Sequence, residues 1–263
     1  MVDIHAHIIP GVDDGAESME DSIAMLRKSA VSGVDTIVAT PHLMPGSYMV
    51  SSEGRDEILL KLREKVTELN IPIEVLPGRE CYLSPEILEF EKTLSKLTIN
   101  DAGKYVLVEL PFHETPDYVY QIIFDFQMKG ITPIIAHVER YHDVINNPNF
   151  VRRFIEKDCL IQVNIGSVLG KYGSDIQKTS HFLLQHRLAH IVASDMHTPH
   201  STPLGSGFEA ISEIVGIEES RNLSDRRPRA VVEGRTVLIP EPLEYHPKRS
   251  FWNLWGLLKG STL

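Results

Sequence analysis

The chain has 263 residues, 42% of them hydrophobic and 24% charged, with a formal net charge of −10. That length supports a sizeable core in a single domain of α/β-barrel size, no apolar run is long enough to span a bilayer, and the acidic balance argues against a general nucleic-acid binder. Only Cys81 and Cys159 are present, without CxxC spacing, which excludes a disulfide framework or a thiolate zinc site and leaves twelve histidines as the informative excess.

In chain order, the first apolar strand begins at Val2 and Ile4 and runs directly into His5 and His7. A cleaved signal peptide would remove these histidines, so a cytoplasmic protein is expected. The following loop, VDDG, carries Asp13 and Asp14, with Glu17 just beyond. SMEDSIAMLRKSAVSG then reads as a helix capped by Ser18, with Asp21 at its third position, Ile23, Leu26 and Ala30 on one face, and Gly33 at its end. A strand over 34–40 leads to His42, and a helix over 52–69 precedes a strand over 71–77 that leads to Glu80. Glu109 ends a strand over 105–110, and a helix over 116–130 follows. The strand over 131–137 ends at His137, three residues before Arg140. Helices over 148–157 and 174–187 bracket a strand over 159–165; a last strand over 190–194 leads to Asp195 and His197, before a helix over 206–215.

Seven strands alternating with helices imply a parallel sheet, and their continuous apolar runs suit burial on both faces. Periodicity alone does not choose between a barrel and a doubly wound sheet. No repeat or linker supports a second domain, so residues 1–263 are expected to form one, with 240–263 a distinct tail. That tail holds Trp252 and Trp255 beside Lys248, Arg249 and Lys259. It reads either as an amphipathic segment for a membrane surface or partner, or as a terminal helix docking on its own domain or a neighbouring subunit; the docking helix is the expectation. A homo-oligomer is left open.

His5, His7, His42, Glu80, Glu109, His137, Asp195 and His197 all fall at the carboxyl ends of strands. In a closed β/α barrel those ends converge on the face where active sites are built. One histidine after a strand is ordinarily a hydrogen-bonded structural residue, and one carboxylate there can simply cap a helix. Eight imidazoles and carboxylates buried together demand compensation, and divalent cations supply it. In HxH on a strand the middle residue points away, so both imidazoles share a face and can chelate one ion. So many nitrogen and oxygen donors exceed one tetrahedral zinc, which implies two or three ions of manganese, iron or zinc, with Glu80 a candidate bridge. Paired ions bridged by a water-derived hydroxide suit in-line attack on a phosphate ester. Arg140 is placed to grip the phosphate bidentately, with Arg79 a second candidate. Neither cysteine has an arginine six positions on, and no GxxxxGK[ST], GxGxxG or GxSxG occurs.

The segments DIHAH, TPH, IAHVERY and ASDMH together resemble the polymerase and histidinol phosphatase (PHP) family. More closely, DIHAHIIPGVDDGAESMEDSI, VATPH, LPGRE, GITPIIAHVERY and VASDMH are similar to the manganese-dependent protein tyrosine phosphatases encoded with bacterial capsule and exopolysaccharide genes, over residues 1 to about 235. The resemblance implies a distorted seven-stranded, TIM-like β/α barrel with three divalent ions, manganese before iron or zinc. It implies His5, His7, Glu80 and Asp195 at one ion, and Glu80, Glu109 and His137 at a second. His42, His197 and Asp14 hold the third, Asp14 being chosen over Asp13 and Glu17 for its Asp-Gly step. Arg140 binds the phosphate, and Asp195 or a metal-bound water gives acid help. The implied substrate is the phosphotyrosine tail of the bacterial kinase that controls polysaccharide export. A small phosphate monoester such as histidinol phosphate is the alternative. Tyrosine's hydroxyl has a pKa of about 10, so its phenolate leaves more readily than an alkoxide.

Overall fold

The computed structural model describes residues 1–90 and 93–243. Among these, nine strands follow in chain order: β1 Val2–Ala6, β2 Thr36–Ala39, β3 His42–Leu43, β4 Glu74–Pro77, β5 Glu80–Tyr82, β6 Tyr105–Glu109, β7 Thr132–Ile135, β8 Leu160–Asn164 and β9 Ile191–Ala193. Every one of the seven expected strands is present, and two of them continue past a short break. β2 and β3 are separated at Thr40 and Pro41, where proline has no N–H for the ladder. β4 and β5 are separated at Gly78 and Arg79, and a Cβ on Gly78 would lie 2.6 Å from Val38 Cγ1, so only glycine lets the two paths approach this closely.

All the strand pairs are parallel, in a three-stranded sheet ordered β1-β2-β4 and a six-stranded sheet ordered β3-β5-β6-β7-β8-β9. The two sheets share the chain paths that run from β2 into β3 and from β4 into β5. At the far edge Ala6 bridges Met196, the His7 N–H donates to the Met196 carbonyl at 2.9 Å, and the Asp195 N–H donates to the His5 carbonyl at 2.9 Å. The first strand path is thereby bonded to the exit of the last, and the seven paths sit side by side in chain order. This is the α/β architecture expected, distorted where the strands break.

The helices are α1 Met19–Val31, α2 Ser52–Glu68, α3 Tyr118–Met128, α4 His142–Asn146, α5 Arg152–Ile155, α6 Ile165–Val168, α7 Ser174–Gln185, α8 Phe208–Val215, α9 Ile217–Arg221 and α10 Arg227–Val232. Ser18 caps α1 by accepting from the Asp21 N–H at 3.1 Å, and the acidic first turn and Lys28 in the last complement the helix dipole. Its buried stripe is Ser22, Met25, Leu26 and Ser29, one position off the expected Ile23 and Ala30, which are partly buried beside it. Small serines let the helix approach closely, and Ser29 Oγ lies 3.3 Å from Met196 Sδ. The expected helix at 148–157 is short: a 3-10 turn at Pro148–Val151 leads into α5. The helices α9 and α10, joined by a π turn at Asn222–Arg226, had no periodicity strong enough to announce them.

Two apolar clusters divide the core. One gathers Val2, Ile4, Val38, Leu107, Ile134, Leu160 and Ile191 from six strand paths, with Val231 and Val232 of α10 beneath them. The other lies between strands and helices and includes Ala6, Met25, Leu59, Val108, Phe126 and Leu183. Val2 and Ile4 thus belong to the inner cluster and Ala6 to the outer one, which requires the register shift found between Asp3 and Ala6. A bulge of this kind re-aims side chains, here His5 and His7 on either side of an outward Ala6.

No helix among the described residues is long and apolar enough to cross a membrane. The tryptophan-bearing part of the tail, 244–263, lies outside the described residues. Its described beginning is held at Leu243, whose N–H donates to the His186 carbonyl at 2.9 Å and whose carbonyl accepts from Arg152 at 2.7 Å.

Candidate metal centre

Parallel register brings the site together. His42 pairs with Glu80 across β3 and β5, and Tyr82 pairs with Glu109 across β5 and β6, so residues from three strands meet at one end. His137 and Asp195 follow β7 and β9 after one intervening residue each, and both adopt left-handed backbone, with φ of 33° and 53°. That conformation costs on the order of 1–3 kcal/mol for a residue with a Cβ, and such strain concentrates at functional sites.

His5, His7, Glu80 and Asp195 form the tightest group. The His5 and His7 Nε2 atoms are 3.2 Å apart. Glu80 Oε2 lies 3.2 Å from His5 Nε2 and 3.1 Å from His7 Nε2, and Asp195 Oδ1 lies 3.3 and 3.4 Å from the same two atoms. Donors about 2.1 Å from a tetrahedral ion are about 3.4 Å from one another, so these separations match the edges of a coordination shell. Among the described residues Glu80 Oε2, though buried, has no hydrogen-bond partner. Convergence of a carboxylate and imidazoles at this spacing, without hydrogen-bond geometry, fits a cation.

A second group offers His7, Asp14, His42 and His197 within ligand reach of one another. Asp14 Oδ1 is 3.5 Å from His42 Nε2 and 3.6 Å from His197 Nε2. Asp13 does something different. Its Oδ2 accepts from His7 Nδ1 at 2.8 Å and from the His42 N–H at 2.9 Å, and its Oδ1 accepts from the Gly15 N–H at 3.0 Å. It therefore orients His7 from behind, as carboxylates behind metal-bound histidines do. Glu17 is exposed on the loop and belongs to none of the ligand groups among the described residues.

The third group is His42, Glu80 and Glu109. His137 flanks it, with Nε2 at 2.8 Å from Glu80 Oε1 and 3.7 Å from Glu109 Oε1. The sequence had paired Glu80 and Glu109 with His137 alone; the fold also brings His42 Nδ1 to 3.1 Å from Glu80 Oε2. The nine expected ligands and Arg140 all lie in or around this one cluster.

Electrostatics show how much positive charge the cluster asks for. Burial opposes a charged His5, yet Glu80 and Asp195 overcome it and push the imidazole up to about 9. Burial, followed by the charges of Glu80 and Asp195, pushes the Glu109 carboxyl up to about 8. Burial would also raise Asp195 and Glu80, but the surrounding histidines hold both well below the usual carboxylate range. Protons on histidines stand in for part of the missing positive charge, which divalent ions would supply more effectively.

Arg140 sits at the open side of the cleft, 30% exposed, with Nη1 donating to Asp195 Oδ2 at 3.2 Å. Its guanidinium lies 4.9 Å from the Phe112 ring centre and 5.3 Å from that of Tyr172. The Phe112 ring in turn stacks on His137 at 5.6 Å. The cleft is further lined by Met44, Tyr48 and Tyr82, giving an aromatic mouth above the charged floor. Arg79, the second candidate for the phosphate, is wholly buried and does not line this cleft. Sequence reading missed Phe112 and Tyr172, which lie in loops, and it missed Gln162 and Asn164. The last two had a signal, because QVN sets two amides at alternate positions in an otherwise apolar strand.

Known proteins resemble this chain over most of its length. A family model described as capsular polysaccharide synthesis, CpsB/CapC, matches residues 1–233. The tyrosine-protein phosphatase YwqE of Bacillus subtilis (strain 168) is 39% identical over 200 residues, 75% of this chain and 77% of that protein. The tyrosine-protein phosphatase CpsB of Streptococcus pneumoniae is 34% identical over 244 residues, 90% of this chain and all 100% of that protein. A crystal structure from work on these two proteins, described as unique metal-dependent tyrosine phosphatases, superposes with a TM-score of 0.86 at 32% identity, covering 94% of this chain and 100% of that one. Histidinol phosphate phosphatase from Lactococcus lactis, solved with zinc, histidinol and phosphate, shares the fold at a TM-score of 0.56 and 14% identity, covering 85% and 94% of the two chains.

Proposed function

Because the chain belongs to the CpsB/CapC capsular polysaccharide synthesis family, whose relatives at this similarity are metal-dependent tyrosine phosphatases, we propose that its nine-ligand cleft hydrolyses phosphotyrosine. The observation that carries this reading is the four-sided group of His5, His7, Glu80 and Asp195, spaced at 3.1–3.4 Å as ligands of one ion are. With the groups at Asp14, His42 and His197 and at Glu80, Glu109 and His137, three divalent ions can be accommodated, manganese being favoured over iron and zinc. When bound, such ions supply a water of lowered pKa and positive charge for the phosphoryl oxygens.

The chain's own residues do the rest. Arg140 donates to the phosphate from the open side, held flat by Phe112 and Tyr172 so that little side-chain freedom is lost on binding. Met44, Tyr48, Tyr82 and Phe112 surround the approach with apolar and aromatic surface that suits a phenyl ring. Asp195 keeps Oδ1 toward His5 and His7 while Oδ2 meets Arg140, so it fixes the phosphate-binding cation relative to the ligands. The tyrosine product needs one proton at its phenolate oxygen, an easy demand for a leaving group of pKa about 10.

In a capsule-synthesis family, the substrate that fits is the exposed phosphotyrosine tail of a bacterial tyrosine kinase, met in the cytoplasm by an enzyme acting as one domain. The test is elemental analysis of the purified protein combined with hydrolysis of a phosphotyrosine peptide and of histidinol phosphate, with and without chelator. Peptide hydrolysis that disappears on metal removal and returns with manganese is expected. Activity surviving complete metal removal, or a strong preference for histidinol phosphate, overturns the reading.

A further inference from the structure

Behind the ligands runs a chain of buried amides that the reaction itself does not use. Gln162 and Asn164 lie two residues apart on β8, both fully buried. Gln162 Oε1 lies 3.1 Å from His5 Nδ1 and accepts from the His137 N–H at 3.0 Å. Gln162 Nε2 donates to Asn164 Oδ1 at 2.7 Å, and Asn164 Nδ2 donates to Asp195 Oδ2 at 2.6 Å.

The direction of this chain is fixed at both ends. The His137 backbone N–H can only donate, so the amide oxygen of Gln162 must face it. An ionised Asp195 can only accept, so the amide nitrogen of Asn164 must face it, and the bond between the two amides then has one consistent sense. With Gln162 presenting oxygen to His5 Nδ1, that ring nitrogen must carry the proton. In the neutral ring, the form that binds a metal, His5 Nε2 is then the lone-pair donor, and it is the atom that meets Glu80 and Asp195. At the other end Asn164 engages Oδ2 of Asp195, which leaves Oδ1 to face His5 and His7.

We infer that Gln162 and Asn164 are positioning residues that present His5 Nε2 and Asp195 Oδ1 to the same ion, linking the two ligand side chains as the backbone bonds link their strand paths. The inference rests on the reading of His5 and Asp195 as ligands. One amide, Gln162, serves both the His5 ring and the strained backbone at His137, so a single side chain sets two of the site's corners. Asn164 and Arg140 both donate to Asp195 Oδ2, so that oxygen is held from two sides.

The experiment measures manganese affinity of the full chain by competition with a chelator, for the wild type, His5→Ala, Gln162→Met, Gln162→Glu and Asn164→Leu, alongside thermal unfolding of each metal-free protein. Loss of a partner behind a metal ligand lowers affinity about 10–100-fold, and that loss is expected for Gln162→Met and Asn164→Leu. Gln162→Glu keeps the acceptor for His5 and should recover much of what Gln162→Met loses. Folded Gln162→Met protein that binds manganese within threefold of wild type overturns the inference, as does an equal loss in Gln162→Met and Gln162→Glu. Should a variant fail to fold, the ring-proton spectrum of the zinc-loaded wild type decides: a proton on His5 Nδ1 is expected, and one on Nε2 overturns it. Wild-type affinity in His5→Ala would instead count against the ligand reading itself.

Discussion

The two adjacent aspartates of the VDDG loop should behave as different kinds of residue when each is replaced by alanine. Asp13→Ala removes the acceptor for His7 Nδ1 at 2.8 Å, for the His42 N–H at 2.9 Å and for the Gly15 N–H at 3.0 Å. A hydrogen bond to a charged group contributes about 1.5–3 kcal/mol, and the buried donors left behind add their own cost, so the metal-free protein should lose on the order of 2–4 kcal/mol of stability. His7 also loses the partner that fixes its ring, and metal affinity should fall about 10–100-fold. Asp14 is 51% exposed, and its Oδ1 stands 3.5 Å from His42 Nε2 and 3.6 Å from His197 Nε2. Asp14→Ala should therefore leave the metal-free protein within about 0.5 kcal/mol of wild type. Its effect should instead be loss of one ion from the loaded protein. Denaturant unfolding of the metal-free proteins and elemental analysis after dialysis separate the two. An Asp14→Ala protein with full metal content and unchanged affinity refutes the assignment, and so does an Asp13→Ala protein of undiminished metal-free stability.

Other expectations follow from single contacts. Arg140→Ala should raise both KM for a phosphotyrosine peptide and the inhibition constant of inorganic phosphate by about 30–150-fold, the equivalent of about 2–3 kcal/mol of charge-assisted bonding, with Arg140→Lys intermediate; an unchanged phosphate constant would remove Arg140 from the phosphate site. Gly15→Ala would place a Cβ 2.2 Å from the His7 carbonyl oxygen and 2.4 Å from its Cβ, so unfolding should show a loss of about 1–3 kcal/mol, and an unaltered melting temperature would contradict the packing. His190 is pushed down to about 3 by burial and by Arg227, so it is neutral in the fold and its stabilisation, complete above pH about 6.5, fades as pH falls toward 3. His190→Gln should gain on wild type by about 2 kcal/mol between pH 7 and pH 5 in denaturant titrations, whereas a pH-independent difference would show that His190 does not titrate on unfolding.

The sequence disclosed the ligands because chain direction alone orders a parallel α/β fold. Every strand delivers its carboxyl end to the same side, so a residue's position after a strand is already a position in space. That logic placed His5, His7, Glu80 and Asp195 together although they lie far apart in the chain. It failed where placement depends on which neighbours touch. The breaks after β2 and β4 moved His42 beside Glu80 by register, so His42 meets two groups rather than one. Phe112 and Tyr172 reach Arg140 from loops, where no period marks a side chain's direction. Helices α9 and α10 were invisible because a π turn interrupts the helical period between them.

The choice between Asp13 and Asp14 shows why such failures are physical rather than a matter of closer reading. Both are aspartates in one loop, and either could approach a cation. What separates them is that Gly15 lies so close to His7 that no Cβ fits between them, and the Gly15 N–H donates to Asp13 Oδ1. This close approach draws Asp13 in behind His7 Nδ1 and leaves Asp14 to project toward His42 and His197. A glycine therefore distributes the two carboxylates between orienting a ligand and being one. Its own role lies in the tertiary contact with β1's exit, which the local sequence VDDG does not contain.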